Sequence, residues 1–150
     1  MSELNKLLVR RLIEEVWIGG SAAAAEAVVA SEYIEHGADA LGAPGPGAVN
    51  GPQHALRVGQ WLHEQFPDLE TTIEALIAEG DTVAVRTSSN GTNLGRFGGV
   101  LPATGKRFVS SQTHWFRVAE GKLVEYWAVR DDLSTVLQLG IVQLPASTPS

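Results

Sequence analysis

From Leu4 onward the apolar residues fall at Leu4, Leu7, Leu8, Leu12 and Val16, three or four positions apart. That is the spacing of one helix face, so a first helix is predicted from Ser2, its candidate cap, to the Gly19-Gly20 stop. "SAAAAEAVVA" reads as a short second helix with Ser21 as its cap and a face of small residues. "PQHALRVGQWLHEQF" reads as the third, with Pro52 in its first turn and Pro67 ending it. From Asp68 the period switches to two. "LETTIEALIAEGDTVAVRTSSNGT" predicts two antiparallel strands around Glu79-Gly80-Asp81, and "RFVSSQTHWFRV" a third strand. "AEGK" is a tight turn, "LVEYWAVRD" a fourth strand, and "LSTVLQLG" a short helical ending. Three helices followed by a four-stranded antiparallel meander predict an α+β fold, with a curved sheet wrapped over helices as a cone around a pocket. Two loops interrupt the pattern, "HGADALGAPGPGAVNGP" and "RFGGVLPATGKRF". The first, over 37–51, is a candidate lid or pocket rim. The length suits one domain, expected over 1–143, with 144–150 as a flexible tail.

The last hairpin determines which side chains share a face. With Glu120-Gly121 at the centre of its turn, Val118 pairs with Leu123, Phe116 with Glu125, His114 with Trp127, Gln112 with Val129 and Ser110 with Asp131. Asp131, Trp127, His114, Gln112 and Ser110 then lie on one face. Thr113, Trp115, Arg117, Tyr126 and Arg130 lie on the other. The first face has few charges and several groups able to exchange protons, so it is assigned to the pocket. The second suits a partly covered outer surface, such as a dimer interface. Asp131 is thus expected to face inward and Asp132 outward, where it caps the terminal helix. The alternative is that Asp131 is that cap. His114 and Asp131 are four residues apart along the hairpin, roughly 13 Å, so they are not expected to form a bonded pair.

Charge and composition narrow the classes. The formal net charge of -6 and the scattered distribution of eleven Lys and Arg argue against a nucleic-acid surface. The absence of cysteine excludes disulfides, thiolate metal sites and a Cys nucleophile. No apolar run approaches the roughly 20 residues of a membrane-spanning helix, and a cytoplasmic location is expected. The four histidines and nearby acids lack metal-ligand spacing, no metal site is expected, and His54 and His63 receive no role.

The phrases "VRRLIEEVWIGG", "YIEHG", "GPQHALRVGQWLHEQFPDLETTIEALIAEGDTVAVR", G-x-F-x-G-V-x-P-A-T-G-K and "EGKLVEYWAVRDDLSTVLQLG" resemble the SnoaL-like polyketide cyclase family. That family belongs to the ketosteroid isomerase-like superfamily, also named after nuclear transport factor two. The resemblance spans residues about 5–143. It implies a strongly bent, mainly antiparallel sheet around a deep apolar cavity, usually in a homodimer, and ring closure by intramolecular aldol chemistry without metal or organic cofactor. It matches Asp131, nine residues before Gly140, to the acid/base, His114 to the His of a Q-x-H strand motif, and Tyr33 to His36 to the pocket mouth. Two positions depart: Val58 stands where the cyclases carry an Asn, and Val16-Trp17 where they carry a Tyr.

A carboxyl in an apolar cavity has its charged form disfavoured, which suits it to proton transfer near neutral pH. On this reading Asp131 removes a proton next to a carbonyl, and His114 or Gln112 donates to the developing oxyanion. Trp127, Trp17, Trp61, Tyr33 and Phe97 supply flat walls, and His36 lines the mouth. The expected ligand is a hydrophobic carbonyl-bearing small molecule. Cyclisation, isomerisation and epoxide opening would use one site; hydrolysis would need inward polar groups, for which Arg86 and Asn90 are the candidates. A ligand-binding protein without catalysis, and a dimeric scaffold with a vestigial pocket, are the alternatives.

Overall fold

The computed structural model describes residues 2–36 and 50–146. Helix α1 (Ser2–Arg11) runs into a π-helical segment, Leu12–Ile18, and is followed by α2 (Ala22–Val28) and strand β1 (Val29–His36). Helix α3 (Gly51–Gln65) precedes β2 (Glu70–Glu79), β3 (Thr82–Thr92), β4 (Arg107–Ala119), β5 (Lys122–Arg130) and the terminal α4 (Asp132–Gln138). The sheet order is β1-β5-β4-β3-β2, with β1 parallel to β5 and the other pairs antiparallel. The fold is α+β, with helices packed on a curved, open sheet.

The sheet has one strand more than the expected meander. The second helix was expected to reach Ala30 but ends at Val28, and the chain turns directly into β1. No Gly or Pro marks this junction. The β-branched and aromatic residues of "VVASEYI" take the extended form because the edge of β5 is there to pair with. Ser21 caps α2 through its hydroxyl, and Asn50 caps α3 by accepting from Gln53 N–H. The candidate lid lies, over 37–49, outside the described residues.

The main core is Val9, Leu12, Val16, Val28, Val83, Phe116 and Leu123 with their neighbours, between the helices and the concave sheet face. A smaller cluster of Phe66, Leu69, Phe97, Phe108 and Leu139 packs beside Leu62 and Ile18. Between the two clusters the helices and sheet do not meet, and a cavity remains. Gly51 lets α3 lie against β1, because a Cβ there would sit 2.1 Å from the Ala30 carbonyl oxygen. Among the described residues no helix is long and apolar enough to cross a membrane.

The β4–β5 hairpin contains the irregularity that matters for the site. Glu120 and Gly121 both have positive φ, 52° and 74°, and close a two-residue turn between Ala119 and Lys122. Val118 pairs with Leu123 as the turn requires. The next pair is Arg117 with Glu125, so Val124 is an extra residue on β5. Such a bulge exchanges the faces of everything beyond it. Val124 is itself buried, beside the buried Leu123.

Candidate functional site

The cavity has a volume of about 350 Å³. Ile13 and Trp17 reach it from the π-helical segment, Val58, Trp61, Leu62 and Gln65 from α3, and Phe97 from the loop after β3. Its floor is the concave sheet face, from Thr71 and Ser89 through Ser110, Gln112 and His114 to Tyr126, Ala128 and Arg130. Glu35, His36, Asp132 and Thr135 also line the cavity, together with Phe66, Leu69 and Phe108.

The β4 half of the expected face is the one observed, but the bulge inverts the β5 half. Tyr126 and Arg130 face the cavity. Trp127 is on the outer face, paired with Trp115 and stacked on the His36 ring at 5.0 Å. Asp131 is exposed and outside this cavity. Its carboxylate accepts from Ser134 N–H at 3.1 Å and caps α4. Asp132, in the first turn of α4, is the acid that lines the cavity, and Arg130 donates to it at 3.3 Å. The expected orientation of the two acids is therefore reversed. Asp131 N–H donates to the Ser111 carbonyl at 3.3 Å, which carries the pairing past β5 and sets Asp132 next in register to Ser110.

Trp17, Trp61, Val58, Phe97, Gln112, His114 and His36 all line the cavity. Tyr33 does not; it is buried in the main core between α3 and the sheet, with its ring stacked on Tyr126, and burial, then the Glu35 charge, pushes its hydroxyl well above the usual tyrosine range. His36 is at the rim, and its Nε2 donates outward to Glu125 at 2.7 Å. Arg86 and Asn90 face away from the cavity; Asn90 accepts from Arg107. Among the described residues no three His, Asp or Glu side chains are placed to hold a metal ion.

The floor is a hydrogen-bonded network with one consistent direction of donation. Ser89 and Thr87 donate to Gln112 Oε1 at 3.3 and 2.9 Å, and Gln112 Nε2 donates to Ser110 Oγ at 2.7 Å. A hydroxyl has one proton. Thr87 must then accept from His114 Nε2–H at 3.2 Å, and His114 Nδ1 must accept from the Tyr126 hydroxyl at 2.7 Å. Thr71 likewise donates to Ser89 at 2.9 Å. Two consequences follow. Both nitrogens of His114 are engaged, so this imidazole offers the cavity neither donor nor acceptor. The proton of Ser110, by contrast, has no acceptor among the described residues, and this side chain lines the cavity.

Burial, and secondarily the Arg130 charge, pushes the His114 pKa from its ordinary 6.5 down to about 4. Above pH 6.5 the imidazole is neutral in folded and unfolded chains alike. Between 6.5 and about 4 the unfolded chain takes up a proton that the folded protein refuses, so this residue costs stability as pH falls through that window. The expected loss is on the order of 3 kcal/mol. Denaturant titrations at pH 7 and pH 4.5 would measure it, and His114→Gln should flatten the slope. An unchanged slope in His114→Gln would show that another group carries it.

The sequence does not single out Tyr126, Arg130 or Asp132 as cavity residues, and Glu35 enters only within the segment Tyr33 to His36 that the resemblance places at the mouth. The signal for the first three was Leu123-Val124, two adjacent apolar residues after the turn that break strict alternation, as a bulge does. Nothing local marked Glu35, whose position follows from the strand pairing Glu35 with Tyr126.

The family model described as SnoaL-like polyketide cyclase matches residues 7–139. The chain is 31% identical over 135 residues to aklanonic acid methyl ester cyclase DauD of Streptomyces sp. (strain C5), covering 89% of this chain and 80% of that one. It is also 31% identical over 135 residues to the cyclase of the same name, DnrD, of Streptomyces peucetius, covering 89% and 88% of the two chains. Among solved structures, wild-type IdmH of Streptomyces antibioticus superposes with a TM-score of 0.74 at 28% identity, over 91% of this chain and 98% of that one. A SnoaL-like protein from Jannaschia sp. CCS1 superposes with a TM-score of 0.76 at 25% identity, over 95% and 96%.

Proposed function

The chain belongs to the SnoaL-like polyketide cyclase family, and from that premise we propose that it closes a ring in a hydrophobic polyketide bearing several carbonyls, with Asp132 as general acid/base and no cofactor. The observation that carries the assignment is the placement of the two acids after β5: Asp132 lines the cavity with its aromatic walls and polar floor, while Asp131 is spent on a helix cap. In this reading Asp132 takes a proton from carbon next to a carbonyl. The enolate carbon attacks a second carbonyl of the same molecule, and the resulting alkoxide takes a proton back, so the product is an isomer of the substrate. Arg130, beside Asp132, offsets the negative charge that moves between carboxylate and enolate. Ser110 donates to a substrate oxygen, because its proton is the free end of the floor network. Tyr126 and His114 hold that network neutral and rigid. Trp17, Trp61 and Phe97 sandwich the flat ring system.

The test uses aklanonic acid methyl ester, the compound named for two relatives. Ring closure by aldol addition leaves the mass unchanged and changes the chromatographic retention. Conversion by the wild type and its loss in Asp132→Asn support the reading. Binding of this ester and related poly-keto esters without conversion would instead support a ligand-binding protein.

We also propose that a second copy covers the outer sheet face. Trp115, Trp127, Val109 and Val129 are exposed there at 46, 39, 61 and 71%. Arg86 and Arg117 lie among them with Glu74 and Glu125, a mixture of both signs around an apolar centre that suits a two-fold contact. Trp115→Glu is expected to halve the mass measured by analytical ultracentrifugation at micromolar concentration. A wild-type monomer at millimolar concentration would end this proposal.

A further inference from the structure

Opposite α4, at the β1 side of the cavity, is a second carboxyl that the reaction above does not use. Glu35 lines the cavity, and behind it, 2.5 Å from Glu35 Oε2, is Nε2 of His54. His54 is 2% exposed, and its buried Nδ1 has no partner among the described residues. Glu35 is therefore the polar partner of this buried ring. The pair is fixed in place: His54 sits in the first turn of α3, where Gly51 lets the helix press on β1, and Glu35 is paired in register with Tyr126. The Glu35 charge reaches both Tyr33 and Tyr126, adding to the upward push that burial exerts on their hydroxyls.

A structural pin between α3 and β1 would not need to be an imidazole, nor to put its carboxylate in the cavity wall. We propose that Glu35 and His54 form a second proton-transfer centre of the cavity, with Glu35 touching the bound molecule and His54 positioning it and sharing its proton. The proposal rests on the reading of the cavity as a proton-transfer site. In a ring closure, Asp132 takes the carbon proton as the C–H bond breaks and the new C–C bond forms. Glu35 gives a proton to the alkoxide oxygen, and His54 takes part of the charge left on Glu35. The substrate has then moved one proton from carbon to oxygen. Asp132 and Glu35 have exchanged protonation states, and both reset by exchange with solvent at the mouth. No other reactant enters. The two ends of the cavity thereby divide the work of acid and base, which selects substrates long enough to place a carbon acid at one end and a carbonyl oxygen at the other.

A carboxyl that can give a proton to a bound molecule can also take one, so the pair is testable without the natural substrate. The probe is 5-nitrobenzisoxazole, a flat bicycle that suits the aromatic walls. A base takes its ring C–H proton, the N–O bond breaks, and a coloured cyanophenolate is released. Glu35→Gln keeps a hydrogen-bonding partner for His54 and is expected to lower kcat/KM for this probe about tenfold. Glu35→Ala is expected to lose as much and to recover with added formate, a response that a structural pin would not give. His54→Gln, which keeps a hydrogen bond but cannot share a proton, is expected to lower the rate and to gain nothing from formate. Thermal melts of each variant separate these effects from unfolding. Rates in Glu35→Gln and His54→Gln equal to the wild type, or Glu35→Ala silent to formate, would overturn the proposal; loss confined to Asp132→Asn would do so while leaving the Asp132 reading intact. Loss confined to the Glu35 and His54 variants would support the pair and count against Asp132. A wild-type rate no higher than buffer would overturn the second centre, and the ester assay would still decide on Asp132.

Discussion

Asp132→Asn is expected to lower the rate of ring closure by about 10²–10⁴-fold, while Asp131→Asn leaves it near the parent value. The side chains are isosteric with the originals, so each variant removes proton transfer and little else. At position 131 the native role is to accept from Ser134 N–H. An Asn oxygen caps a helix about as well as an Asp oxygen, so α4 should persist. At position 132 the carboxylate faces the cavity beside Arg130, and an amide there cannot take a proton. The loss should fall on kcat with KM little changed, because the aromatic walls proposed to bind the substrate are untouched. Steady-state kinetics on the two variants decide it. A dead Asp131→Asn beside an active Asp132→Asn would restore the assignment that the family resemblance implies, and would mean that α4 rearranges when substrate binds.

The reversal of these two acids shows how far the sequence could be read. Helix α3 was legible because its apolar stripes and Pro52 are local signals. The turn was legible because Glu120-Gly121 accept positive φ, and the pair it enforces, Val118 with Leu123, is present. One extra residue then undid the prediction for β5. A bulge such as that at Val124 is set by what packs beneath it: Leu123 and Val124 are both buried, and the strand gains more by covering both than by keeping strict alternation. Strict alternation places Trp127 in the pocket wall and Tyr126 outside, and that single step exchanges them. Strand β1 was missed for a related reason. Its edge position depends on β5, some ninety residues later, and no local pattern encodes a parallel partner. Thr87 and Ser89 look like surface residues of an alternating strand, yet both are buried. Only the direction of donation through Gln112 reveals that His114 is an interior support and Ser110 the free donor.

The largest stability effect is expected from Phe116→Ala. Phe116 is fully buried, with its ring 6.4 Å from that of Trp17 and 5.0 Å from that of Tyr126. Removing a buried phenyl loses its transfer free energy and leaves a void, together about 3–5 kcal/mol. The void should stay open, because the bulged β5 and the π-helical segment fix its walls and neither can close without losing backbone pairing. For a chain of this size the loss corresponds to a fall in Tm on the order of 10 °C. Phe116 is also the residue next along the concave face of β4 after His114, under the Trp17 ring that lines the cavity. The same substitution should therefore loosen Trp17 and weaken binding of flat ligands, whereas Phe116→Leu, which fills most of the space, should spare both. Denaturation curves and ligand titrations on the two variants would show stability and affinity falling together in Phe116→Ala. A loss below about 1 kcal/mol would mean that the core repacks around the void; full stability loss with unchanged affinity would mean that the cavity wall is held by the helices alone and not by the sheet beneath it.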